Sequence, residues 1–255
     1  MITGILLLAV ITFIAVISYK RPRLENRVIK NIPLIDWMNI LIIPLFLYIG
    51  LTILARNILS RDRAMILDFD DFTLASFGIF FLVYAFVGNS IHFVSKVLSR
   101  YIPPQKHSLV YRINEIFHGK LSHYMIFLSS FLVVFILALL EINYPIPSAM
   151  RQGTEGLVLL SGLLFGISAT KIVFYTSSWF GGYNKPLFFL VSFLLFILVT
   201  LFRIFRLHIL FYPITFFVVT MFSGFIGTFV MRQLLIFLRL GKKRRLQFLA
   251  KILSV

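Results

Sequence analysis

Hydrophobic segments of bilayer-crossing length recur from Met1 to about Met231, and they leave few folds open to this chain. Hydrophobic residues make up 60% of it, and the mean hydropathy is +0.97. A soluble core has no use for so much apolar surface, whereas a helix needs about 20 apolar residues to cross a bilayer. The expected fold is all-α, a polytopic integral membrane helical bundle. Seven spans are expected, at roughly 2–19, 36–54, 72–97, 121–140, 156–180, 186–202 and 209–231. Pro44 and Pro213 fall inside spans and predict kinks there, tolerable where a neighbouring helix satisfies the freed carbonyl.

The first apolar run, Ile2 to Ser18, precedes Lys20, Arg21 and Arg23. A secretory signal has its charges in the reverse order, so the run reads as a retained first helix. Residues 1–235 then form one transmembrane domain, and 236–255 a basic amphipathic tail on the inner side.

Charge gives the orientation. With the N-terminus outside, Arg56, Arg61, Arg63, Arg151, Arg203 and Arg206 face Asp62, Asp68, Asp70, Asp71, Glu141 and Glu155 on the outer side. These cancel, and the whole net charge of +16 collects on the inner side. That distribution is the positive-inside pattern of an N-out, C-in protein. The basic loop Arg203 to His208 departs from it, and ion pairing with Asp68, Asp70 and Asp71 is the expected remedy. A broken hairpin of the last two spans, giving six in all, is the alternative.

The tail from Arg239 to Lys251 places Leu246, Leu249, Ala250 and Leu253 on one helical face. Lys242, Lys243, Arg244 and Arg245 are therefore the candidate lipid-binding residues, with anionic inner-leaflet lipid as the expected partner. Further membrane proteins are also admissible partners. A nucleic-acid partner is disfavoured, because the cluster follows directly on a span.

The segment from Ser108 to Lys120 reads as an interfacial helix before the fourth span. It carries Glu115-x-x-His118, which puts a carboxylate and an imidazole on one helical face. His123 lies five residues beyond His118 and turns away from it on a regular helix, unless the chain bends at Gly119. His92 comes to similar depth from the third span. His92, Glu115, His118 and His123 are thus candidate ligands for zinc or iron. His92 facing His123 would alternatively suit a haem. The competing reading makes these histidines interfacial anchors that hydrogen-bond phosphate or backbone.

Lys171 and Ser168 in the fifth span are candidate ligand contacts, with snorkelling of the long lysine stem as the alternative. Gly88-Asn89-Ser90 is expected to loosen the third span above His92. Gly162-x-x-x-Gly166 in the fifth suits close helix packing.

Several classes are excluded. The absence of cysteine removes disulfides, thiolate metal sites and cysteine nucleophiles. No lysine in the last span suits retinal, no His-Glu-x-x-His occurs, and no phosphate-binding Gly-x-x-x-x-Gly-Lys loop is present. Ser168 lacks a base at its own depth. The sequence therefore favours a non-enzymatic transport, lipid-handling or assembly component of a plasma membrane of prokaryotic type. A metal- or haem-binding membrane enzyme or electron-transfer subunit is the alternative.

Overall fold

In a bilayer every backbone amide must be satisfied within its own segment, and helices do this for a chain of apolar runs. The computed structural model describes residues 1–19, 21–102, 108–176, 184–241, 244, 245 and 247. Among these it is an all-α bundle of α1 (Ile2–Ser18), α2 (Leu34–Leu59), α3 (Asp71–Leu98), α4 (Leu109–Ile142), α5 (Gln152–Thr176), α6 (Asn184–Ile204) and α7 (Pro213–Arg239). The six helices α2 to α7 are long and apolar enough to cross a membrane. With 17 residues, α1 reaches about 26 Å at 1.5 Å per residue. That falls a little short of a hydrocarbon layer about 30 Å thick.

Two expectations are corrected at the helix ends. The interfacial helix and the fourth span are one continuous element, α4, of 34 residues. Pro213 produces no kink, because it stands at the first position of α7, where a missing N–H costs nothing. Pro44 does lie inside α2, just beyond a π-helical turn at Met38–Ile42. A proline frees the carbonyl four residues before it. Here that group is the Ile40 carbonyl, and it accepts from Asn89 Nδ2 of α3 at 3.4 Å.

The core lies where α4, α5 and α7 meet. Phe217, Phe222, Phe225 and Phe229 of α7 are fully buried, and Phe131 of α4 packs edge-on against Phe225. Gly162 and Gly166 are where α5 and α7 touch. A Cβ on Gly166 would stand 2.1 Å from the Met221 carbonyl oxygen, and one on Gly162 1.9 Å from Thr220 Oγ1. The Thr170 hydroxyl bridges the same seam, donating to the Gly166 carbonyl at 2.8 Å and lying 3.2 Å from that of Phe225. By contrast α3 and α6 expose Phe72, Phe77, Phe80, Phe189, Phe193 and Phe196, the outward apolar faces that lipid solvates.

The outer end is knit by hydrogen bonds between loops. Glu141 is fully buried; its Oε1 accepts from Arg61 Nη1 at 2.8 Å and its Oε2 from the Thr215 amide at 2.7 Å. The Arg61 guanidinium also reaches the Tyr144 carbonyl at 2.8 Å. Asn143 accepts from the Leu67 amide at 2.7 Å and donates to the Leu67 carbonyl at 3.0 Å, fastening the loop before α3. The amides of Ile146 and Met150 donate to the Phe211 and Leu210 carbonyls.

The expected pairing of the outer aspartates with Arg203 and Arg206 is absent among the described residues. Asp70 caps α3 instead, accepting from the Phe72 and Thr73 amides at 3.3 and 3.0 Å. Those bonds, and first the one from the Thr73 hydroxyl, hold its carboxyl below the ordinary range. Asp71 pairs with Arg63 at 3.2 Å and accepts from the Tyr144 hydroxyl at 2.7 Å. Arg63, close by in the loop before α3, takes the pairing with Asp71.

Candidate functional site

Polar chemistry gathers at the inner ends of α2, α3 and α4. Asp36, in the first turn of α2, is 2% exposed in a chain with few inner acids. Burial of a carboxylate is tolerable only with partners. Two cations supply them, one in the last turn of α3 and one just past its end: Lys96 Nζ lies 2.5 Å from Oδ1, and the Arg100 guanidinium grips Oδ2. Arg100 also donates to the Asn31 carbonyl at 2.8 Å. Asn31 and Lys30 have φ of 62° and 50°, forming the left-handed turn between strands β1 (Val28–Ile29) and β2 (Ile32–Pro33). Trp37 Nε1 ties the same hairpin to α2 through the Ile29 carbonyl at 3.2 Å.

Beside this charged knot the structure brings three histidines together. The ring centres of His92 and His123 are 4.5 Å apart, those of His92 and His118 4.7 Å, and those of His118 and His123 5.8 Å. Two local features produce the cluster. Residues Ile116–Ser122 form a π-helix inside α4. Hydrogen bonding from i to i+5 places residues five apart one turn above each other, so His118 and His123 share a face. The expectation that a five-residue spacing separates them is thereby overturned, without any break at Gly119. The second feature is Gly88, whose absent side chain lets α3 lie against α4. A Cβ there would meet Met125 Cβ at 2.8 Å and the Ser122 carbonyl at 3.1 Å. So Gly88-Asn89-Ser90 does not loosen α3, which is helical throughout; it seats His92, one turn on, against the histidines of α4.

Other bonds hold the arrangement. Asn114 Nδ2, in the first turns of α4, donates to the Ser95 carbonyl at 3.0 Å. The Ser122 hydroxyl donates to the His118 carbonyl at 2.7 Å. His123 Nδ1 lies 3.3 Å from the Gly119 carbonyl, while His92 Nδ1 is buried with no hydrogen-bond partner among the described residues. A small pocket lined by Asp36, Asn39, Ile40, Asn89, His92, Phe93 and Lys96 lies alongside. Glu115 does not join the group; it is exposed and makes no ion pair among the described residues. As the rings stand, no three His, Asp or Glu side chains among the described residues are drawn together into a set that would hold a metal ion.

The remaining candidate residues lie apart. Ser168 is buried, whereas Lys171 is exposed with its Nζ 5.8 Å from the Tyr175 ring, so the two point to different surroundings. Arg245 turns back on α7: its Nε donates to the Leu240 carbonyl and its Nη2 to that of Leu238, each at 2.8 Å. It therefore satisfies carbonyls at the end of α7, and Arg244 is exposed. Lys242, Lys243 and most of the expected amphipathic tail lie outside the described residues.

The residues that sequence reasoning passed over are Asp36, Lys96 and Arg100. Their signal was available: Asp36 is an acid at an inner span end, and Lys96 and Arg100 are cations spaced by four across the end of the third span. Comparison with protein-family models, with curated proteins and with solved structures returns no match.

Proposed function

We propose that this chain is a non-enzymatic component of a plasma membrane of prokaryotic type, a lipid-handling, transport or assembly subunit that engages anionic headgroups from its inner face. One observation carries the reading: positive charge is neutralised differently at the two ends. On the outer side Arg61 and Arg63 are taken up by Glu141 and Asp71. On the inner side Asp36 alone, among the described residues, meets cations, while Glu25 and Glu115 make no ion pair. The net +16 therefore has no counter-charge within the chain. Anionic lipid supplies it, each juxtamembrane cation contributing about 1 kcal/mol near the surface. The basic segment follows directly on α7 in the sequence, which favours lipid over nucleic acid as its partner.

The test is a melting measurement in nanodiscs with and without anionic lipid. Anionic lipid is expected to raise the unfolding midpoint. Combining Lys242→Ser, Lys243→Ser and Arg244→Ser is expected to cut that rise, with Arg245 retained because it caps α7. Equal midpoints in both bilayers would remove this reading.

A further inference from the structure

We propose that His92, His118 and His123 form a binding site for one borderline transition-metal dication, with zinc as the reference ion, reached from the inner face of the membrane. The first argument is spacing. Imidazole nitrogens bind zinc at about 2.0–2.1 Å, so three rings around a tetrahedral ion have centres about 5 Å apart. The observed separations of 4.5, 4.7 and 5.8 Å bracket that value. The rings now pack against one another rather than aim at a common point. Turning their lone pairs inward calls for rotation about the side-chain torsions.

The second argument is the helix distortion. A π-turn is a rare departure from α-geometry and recurs at functional sites. Here it has a definite geometric product, the stacking of His118 above His123. The third argument concerns the nitrogens themselves. The Gly119 carbonyl lies 3.3 Å from His123 Nδ1 and favours the tautomer with the lone pair on Nε2, the arrangement that metal-binding histidines use. His92 Nδ1 is buried without a hydrogen-bond partner among the described residues. Buried polar atoms are ordinarily satisfied, and a bound ion is one means of doing so.

The donor set selects the ion. Neutral imidazoles suit zinc, nickel, cobalt or copper, whereas magnesium and calcium require oxygen ligands. Haem does not fit: two imidazoles on opposite sides of one iron have centres about 6 Å apart with a porphyrin between them. The His92 and His123 rings, at 4.5 Å, leave no space for it. The small pocket lined by Asp36, Asn39, Asn89 and His92 lies directly beside the His92 ring. Lys96 opposes a dication there, and Asp36, already held by Lys96 and Arg100, screens part of that repulsion. A bound ion would clamp α3 to α4.

The experiment titrates the untagged full-length protein in detergent with Co²⁺, then displaces the cobalt with Zn²⁺. Uptake of one ion per chain with the visible bands of tetrahedral cobalt is expected. His118→Ala and His123→Ala should each weaken binding by about tenfold or more, since even supporting residues of metal sites cost 10–100-fold. His208→Ala, at the outer end, should bind as wild type does. A readout on the unaltered chain guards against variants that misfold. Diethyl pyrocarbonate labelling with and without zinc should show protection of His118 and His123 but not of His208. No cobalt uptake, unchanged affinity in histidine variants that melt normally, or protection confined to His208 would each overturn the site.

Discussion

At the outer end of the bundle a fully buried carboxylate, Glu141, has both oxygens partnered; at the inner end His92 has a buried nitrogen with no hydrogen-bond partner among the described residues. The outer end joins its loops through Asn143, Tyr144, Arg61 and Thr215, using bonds between segments far apart in sequence. The inner end holds two π-turns, a cluster of three mutually tilted imidazoles and a carboxylate shared by two cations. A satisfied network such as that around Glu141 holds one conformation, although Asp71 Oδ1 nearby is buried without a hydrogen-bond partner among the described residues. Departures from regular geometry and from satisfaction concentrate where a protein acts. The Glu141 network gives the outer end the character of an anchor, and the ligand site proposed above falls at the inner end, where the helices depart from regular geometry.

The sharpest way to break this contrast is Glu141→Ala. It would leave the Arg61 guanidinium, 11% exposed, without its carboxylate and the Thr215 amide without its acceptor. Removing one partner of a buried ion pair costs about 3–5 kcal/mol. The unfolding midpoint in mild detergent should fall by an amount equivalent to several kcal/mol. A fall of less than about 1 kcal/mol, the range of exposed pairs, would show that the outer network is not an anchor.

Asp36→Asn probes the opposite end and should do less. Lys96 and Arg100 are 33% and 30% exposed at their side chains, so both reach water once the carboxylate is gone. The expected loss is about 1–2 kcal/mol, between the values for exposed and fully buried pairs. Proteolysis after Arg27 and Lys30 should accelerate at the same time, because Arg100 fastens the hairpin through the Asn31 carbonyl. A loss as large as that of Glu141→Ala would erase the distinction between the ends.

How far the sequence foretold this contrast depends on the kind of force involved. Spans were legible because hydropathy is what drives a helix into a bilayer, and Gly162 and Gly166 read as a packing seam for the same local reason. Their ends were less so, since Ser108 to Lys120 has enough charge to read as a separate interfacial helix yet continues into α4. The histidine cluster was legible by depth but not by facing. A period of 3.6 residues turns His123 about 140° from His118, and nothing in Phe117-His118-Gly119-Lys120 announces a π-turn. At the outer end, counting charges matched the aspartates to Arg203 and Arg206. That count was blind to Asn143, an uncharged residue whose two bonds fold the loop so that Arg61 and Arg63 reach Glu141 and Asp71.

The smallest expected effect sharpens the picture of the outer end by pH. The Tyr144 hydroxyl donates to Asp71 Oδ2 at 2.7 Å, and that bond, aided by burial, raises its pKa above the ordinary value of 10.0. A raised pKa means that the folded state holds the proton more tightly than the unfolded one. The bond's contribution is then fully present below the unfolded pKa and fades as pH rises through the folded value. Melting midpoints should therefore be insensitive to this group near neutrality and decline in strongly alkaline buffer. Tyr144→Phe should lower the midpoint slightly at pH 7 and flatten the alkaline decline. A decline of equal steepness in Tyr144→Phe would assign the alkaline loss to other groups and leave the Asp71 bond without a role in closing the outer end.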